Sequence, residues 1–267
     1  MTRIFHACDV HGSELVWKKM IKMGTFHKAK ALLMCGDITG KATVPIVKQN
    51  QGEWFCSWGR HQGETMRSEQ ELEKMKTLIR DRGYYPFETR REEVEDLKAN
   101  PKKVHELFVT LMKETLRRWL DMVAEVTPKD VTVVVNPGND DPLEIDDTIK
   151  QDDRVIYALD KIVQLDSNHE LISFAHVNPS PWNTPREAPE EELRKMLEKL
   201  FEKATKPETL VCNFHCPPYD THLDIAQKLD KNLKPVTHFG SSVKIHVGSL
   251  AIRELSLIHI SEPTRPY

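Results

Sequence analysis

Short apolar runs that stop abruptly at polar residues punctuate the chain. The first, Ile4 to Cys8, is followed by Asp9-Val10-His11-Gly12-Ser13. The second, Ala29 to Cys35, is followed by Gly36-Asp37. The third, Val131 to Val135, runs into Asn136-Pro137-Gly138-Asn139-Asp140-Asp141. A fourth, Thr209 to Phe214, ends in His215-Cys216-Pro217-Pro218. Runs of this length and apolarity read as buried strands. Between the first two, Ser13 to Lys28 reads as a helix. Ser13 suits the N-cap, and Leu15, Val16, Met20 and Met23 recur at helical spacing. The order strand, helix, strand is that of an α/β sheet.

Residues 51–128 read differently. The stretch is charge-rich, and from Pro101 onward Val104, Leu107, Phe108, Leu111, Trp119, Met122 and Val126 follow a helical period. It reads as a helical insertion between the second and third runs. Beyond it come two more strand candidates, Arg154 to Ala158 and Leu171 to Ala175. A Pro- and Asn-rich loop, Asn178 to Arg186, precedes a charged helix from Glu190 to Lys203 with Leu193, Met196, Leu197 and Leu200 on one face. The last residues, Leu255 to Tyr267, have no cap, period or turn logic and resemble the translation of a sequencing adapter. The natural sequence is therefore expected to end near Glu254, inside a helix that Ser249 starts, and His259 is not counted as a ligand.

Composition narrows the functional classes. The 267 residues suffice for one large α/β domain or two small ones. A formal net charge of -3 gives no global basic field, which disfavours nucleic acid as a partner. A phosphate-bearing substrate would then need a local positive site, such as bound metal. The five cysteines form no Cys-x-x-Cys pair, which argues against a zinc ribbon or a redox dithiol. Free thiols suit a reducing cytoplasm. No run approaches the roughly 20 apolar residues of a membrane span, and the N-terminus lacks the apolar stretch of a signal peptide. A soluble cytoplasmic protein is expected.

Ligands in open α/β sheets lie beyond the carboxyl ends of strands. Four strand ends that carry carboxylate, amide and imidazole therefore suggest one shared site. Asp9 offers a hard oxygen and His11 an imidazole nitrogen, a mix that suits Mn, Fe, Zn or Co better than Ca. A carboxylate such as Asp37 can bridge two cations. Asn139 can offer a carbonyl oxygen, and His215 a second imidazole. Each signal alone has a plainer reading. Asp37 could cap a turn, Pro-Gly-Asn-Asp suits a turn, and a lone histidine at a strand end is more often structural.

The order of the four motifs resembles that of the calcineurin-like metallophosphoesterases, in which DxH, GD, GN(H/D), H and GHxH follow one another. The resemblance covers residues 1–254, and the loop Trp182-Asn183-Thr184-Pro185-Arg186 and the segment His238-Phe239-Gly240-Ser241 also look like prokaryotic members. It implies a four-layer αββα sandwich over residues 1–254, with the helical insertion at about 51–128. It also implies a dinuclear metal centre. Asp9 and His11 would bind the first ion, Asp37 would bridge, and Asn139 and His215 would bind the second. Such a pair, roughly 3.5–4 Å apart, holds the phosphate, activates water and neutralises developing charge. The implied activity is hydrolysis of phosphomonoesters or phosphodiesters, with a small phosphate ester or nucleotide as substrate.

Two departures stand out. No GHxH motif occurs before Leu255, so the chain is expected to stop short of it and to be impaired. Many members have histidine after the motif-three asparagine, where this chain has Asp140. That position is a candidate for steadying the transition state or protonating the leaving group. The competing expectation is a non-catalytic binding or scaffold protein on the same fold. Five ligand-type residues at strand ends argue against it, since a scaffold has no need of them.

Overall fold

Parallel pairing needs a crossover, and the first helix supplies one. Strand β1 (Ile4–Ala7) pairs in parallel with β2 (Ala31–Cys35), and α1 (Glu14–Phe26) connects them. The computed structural model describes residues 2–59, 61–159 and 161–259. The chain divides into two compact units, Met1–Val135 with Pro142–Tyr157 and Asn136–Asp141 with Ala158–Tyr267.

In the first unit, Ser13 caps α1 as its sequence suggests. Its Oγ accepts from the Val16 N–H at 3.3 Å and donates to the Asp81 carbonyl at 2.6 Å. The buried face of α1 is Trp17, Met20, Ile21 and Gly24, whereas Leu15 and Val16 are 43% and 41% exposed. A second sheet follows, built from β3 (Thr43–Lys48), β4 (Trp54–Trp58), β5 (His61–Met66) and, after α2 (Glu69–Asp81), β6 (Tyr85–Thr89). Its strand order is β5-β4-β3-β6. Leu72, Met75 and Ile79 of α2 cover it at Val44, Ile46, Trp54, Cys56 and Met66.

The helical insertion expected at 51–128 is thus corrected: its first part is sheet. Trp54 and Cys56 are buried while Phe55 between them is exposed, the period of two that marks a strand. The second part is helical as expected, with α3 (Arg91–Ala99) and α4 (Pro101–Val126). Asn100 caps α4 through the Lys103 N–H, with Pro101 in the first turn. Only the C-terminal half of α4 is deeply buried, at Met112, Leu116, Trp119, Leu120 and Val123. The Trp119 ring stacks on Trp17 at 4.9 Å, and the Trp17 indole N–H donates to the Trp119 carbonyl. Loss of a buried indole of this kind generally costs about 3–5 kcal/mol, so this pair ties α1 to α4. The first sheet has the order β1-β2-β7, where β7 is Thr132–Asn136, and α5 (Asp146–Lys150) follows it. The strand expected from Arg154 is reduced to one isolated parallel bridge between Val134 and Ile156.

The second unit repeats the design on a smaller scale. Its sheet has the order β10-β9-β8, with β8 (Val163–Gln164), β9 (Glu170–Phe174) and β10 (Leu210–Phe214). Helix α6 (Glu190–Phe201) makes the parallel crossover from β9 to β10. Four short strands follow, β11 (Ile225–Gln227), β12 (Thr237–His238), β13 (Ser241–Ser242) and β14 (Lys244–His246). The last helix, α7 (Leu250–His259), starts where Ser249 predicts it. The Ser249 Oγ accepts from the Ile252 N–H, and the Glu190 carboxylate accepts from the N–H groups of Leu250 and Ala251. Leu193, Leu197, Leu200 and Phe201 pack with Ala251, Ile252 and Leu255 over Ile172 and Phe174. Helix α7 continues through the first residues of the tail expected to be foreign, and residues 260–267 of that tail lie outside the described residues. The class is α/β, as the strand–helix alternation predicts. No helix among the described residues is long and apolar enough to cross a membrane.

Candidate functional site

Three of the ligand-type residues leave the parallel sheet of the first unit. Asp9 and His11 follow β1, and Asp37 follows β2. All three sit on left-handed backbone, with φ of 56°, 45° and 48°. That conformation generally costs an L-residue about 1–2 kcal/mol, less for aspartate. Hydrogen bonds between the two loops hold it. The N–H groups of Asp9, His11 and Gly12 donate to the carbonyls of Gly36, Asp37 and Ile38 at 3.0, 2.8 and 2.8 Å.

Glycines behind the loops make the seating possible. A Cβ on Gly83 would lie 2.1 Å from the His11 carbonyl oxygen, and one on Gly40 would lie 2.0 Å from the Gly83 carbonyl oxygen. One on Gly12 would come within 2.5 Å of the Gly40 Cα. No side chain fits at any of these contacts, so three chain segments meet backbone to backbone under the Asp9–His11 loop.

The side chains converge. His11 Nε2 stands 3.7 Å from Asp9 Oδ1 and 3.8 Å from Asp37 Oδ2. Both distances are too long for hydrogen bonds. Donors about 2.1 Å from a shared ion stand about 3.0 Å apart at a right angle and at most about 4.2 Å when opposite. The observed separations fall inside that range. His11 Nδ1 is buried without a hydrogen-bond partner among the described residues, and Nε2 is the ring atom that faces the two carboxylates. Asp37 is buried, His11 half-buried and Asp9 exposed. The donor set and its spacing fit a borderline divalent cation.

The other two ligand-type residues meet in the second unit. His215 Nε2 and Asn139 Oδ1 are 2.9 Å apart, a hydrogen bond that is also the spacing of neighbouring donors on one ion. The Asn139 amide is oriented from behind. Its Nδ2 donates to Thr184 Oγ1 at 2.8 Å, and that hydroxyl donates to Glu187 Oε1 at 2.8 Å. Glu187 also accepts from the Thr184 N–H and from the N–H and Oγ of Ser180. Burial pushes its carboxyl up, but these bonds outweigh burial and hold it below the usual range. Arg186, fully buried, donates from Nη1 to the carbonyls of Gly138 and Asp141, and the buried Asp141 carboxylate accepts from the Gly138 N–H. The turn that carries Asn139 and Asp140 is thereby clamped, with Asp140 half-buried on it.

Sequence alone does not assign Thr184, Glu187 or Gly83 to the site. Thr184 lies in a loop that stands out by its Pro and Asn content, and the charged Glu187 beside that loop was the available signal.

No protein-family model matches the chain. It is 32% identical over 123 residues to the uncharacterized protein MJ1162 of Methanocaldococcus jannaschii, spanning 46% of this chain and 48% of that relative. The chain thus matches about half the length of that protein. The fold is similar to that of TT1561 of Thermus thermophilus, with a TM-score of 0.53 and 11% identity over 97% of this chain and 79% of that one. A further crystal structure is similar at a TM-score of 0.54 and 14% identity, over 97% of this chain and 81% of its own. At such identities the likeness concerns the fold alone.

Proposed function

We propose that this chain is a metal-dependent phosphoesterase, working with two divalent ions drawn from Mn, Fe, Zn and Co on a four-layer αββα sandwich. The observation that carries the reading is the Asp9–His11–Asp37 cluster. Two carboxylates and an imidazole stand at ligand–ligand spacing on left-handed backbone, at the ends of paired parallel strands. The order of the motifs along the chain supports joining this cluster with Asn139 and His215 in one dinuclear centre. Asp9 and His11 would hold one ion, Asn139 and His215 the other, with Asp37 shared.

Divalent ions bound there supply Lewis-acid polarisation of a phosphoryl oxygen and a metal-activated water at neutral pH. The protein's part is to hold the donors rigidly and to place the ester. Asp140 is assigned the leaving group. A carboxylate is a poorer proton donor at neutral pH than the imidazole that many members of the family carry at this position. Activated esters should therefore turn over faster than esters of poor leaving groups. The substrate class is a small phosphate ester or a nucleotide.

The test is hydrolysis of 4-nitrophenyl phosphate by chelator-stripped protein with Mn²⁺ added back, alongside Mn²⁺ binding by calorimetry. Mn²⁺-dependent release, slow because the sequence carries no GHxH motif and lower still in Asp37→Asn, is the expected result. Failure to bind Mn²⁺ would overturn the reading. Binding without hydrolysis would instead favour a non-catalytic binding protein on the same fold.

A further inference from the structure

A cavity of about 500 Å³ in the second unit has Asn139 and His215 in its lining. Val177, Pro181, Trp182, Leu229, Ile245 and His246 also line it, and no Asp, Glu, Lys or Arg does so among the described residues. Trp182 is 62% exposed, a large aromatic face left to solvent at a cavity wall. Other polar side chains in the lining already have partners. Ser180 Oγ donates to Glu187, Asn178 Nδ2 donates to the Val247 carbonyl, and Gln227 Nε2 donates to Ser242 Oγ.

His246 differs. Its Nδ1 lies 2.7 Å from Oδ1 of the buried Asp224, whose carboxylate also accepts from the N–H groups of Asp220, Thr221 and Gly248. That carboxylate is acceptor-only, so Nδ1 carries the proton of the shared bond. Nε2 stands 3.6 Å from Asp220 Oδ1, beyond hydrogen-bonding range, and is the ring atom left for a ligand.

We infer that this cavity seats the alcohol portion of the ester, and that this portion is an uncharged flat ring laid against Trp182 with a polar edge at His246 Nε2. The inference rests on the phosphoesterase reading, because Asn139 and His215 in the lining bring the phosphoryl group to the cavity. A second anionic group on the ligand, as in a bisphosphate, would find no cationic side chain in the described lining and would lose its hydration uncompensated. An indole face, by contrast, stacks on any flat ring regardless of its identity.

The test uses the full chain without metal, titrated by ligand-observed NMR with adenosine and with 2-naphthol. At least one should bind, and Trp182→Ala should weaken that binding by about 10-fold or more. Because Trp182 is largely exposed, its loss leaves the fold intact, which circular dichroism checks. Leu15→Ala, on exposed α1 surface of the other unit, should change nothing. Tighter binding of adenosine identifies a nucleoside ester, and tighter binding of 2-naphthol an aryl ester. Binding of neither ring, or equal binding in Trp182→Ala, overturns the inference. Ring binding by a chain that takes up no Mn²⁺ overturns the phosphoesterase reading, and with it the ring's role as leaving alcohol, a result distinct from failure of the cavity.

Discussion

At His11 the backbone and the side chain make opposite demands. The backbone, at φ 45°, suits glycine, whereas the cluster with Asp9 and Asp37 needs imidazole. The imidazole also keeps a buried nitrogen without a partner among the described residues. On the proposed reading this position therefore exchanges stability for chemistry. His11→Gly should be more stable than His11→Ala by about 1 kcal/mol, since both lose the imidazole and only glycine is relaxed at this φ. Thermal unfolding of the two variants checks it, and equal midpoints would refute the strain argument. Asp9, His11, Asp37, Asn139 and His215 were legible in the sequence as candidates because each follows an apolar run closely. Their left-handed backbone at Asp9, His11 and Asp37 was not, because nothing in a single sequence separates a ligand-bearing turn from an ordinary one.

Among the elements, α1 was legible from its cap and period, α6 from its period, and β1, β2, β7, β9 and β10 from their apolar runs. The strands between 54 and 66 were not. A strand of five or six residues carries too few repeats to outweigh the helical signal of the longer flanking segments. The loop from Asn178 to Glu187 was visible as a Pro-rich connection and, at Trp182 to Arg186, as part of the family resemblance, but not as a support for Asn139. Its work depends on a hydrogen bond from Asn139 to Thr184, partners 45 residues apart. That bond decides which end of the Asn139 amide faces His215. Thr184→Val keeps the shape but removes the acceptor, which frees the amide to turn. An affinity for Mn²⁺ lower by about 10-fold is expected, measured by calorimetry, with Thr184→Ser restoring it. Unchanged affinity in the valine variant would show that the amide is oriented without the loop.

For the molecule as a whole, several carboxylates share one acid response. Burial pushes Glu14 up, but Lys18 and Arg118 hold it below its ordinary 4.5. Glu187 is lowered by its hydroxyl and amide donors against the pull of burial. Burial likewise opposes ionisation at Asp224, and His246 with three backbone N–H groups pulls it well below its ordinary 3.8. A carboxylate with a depressed folded-state pKa contributes stability above its unfolded value and loses it as pH falls toward its folded value. The unfolded chain takes up protons first, so acid favours unfolding. Midpoints of thermal unfolding should be flat above about pH 5 and should fall steadily below about pH 4.5. A flat profile down to about pH 3 would show that these groups are not coupled to folding.

The three glycines under the Asp9–His11 loop have a kinetic meaning as well. Functional loops are commonly among the first parts of a protein to open. Here the amides of Asp9, His11 and Gly12 are bonded across to the loop after β2, and the backbone of Gly83 closes the space behind them. Releasing any one of these hydrogens to solvent requires three segments, distant along the chain, to separate together. These amides should exchange with deuterium as slowly as those of the buried β2, whether or not Mn²⁺ is added. On the proposed reading such a site would be assembled before any ion arrives, and the slowest motion of its loop would be the breathing of the sheet itself.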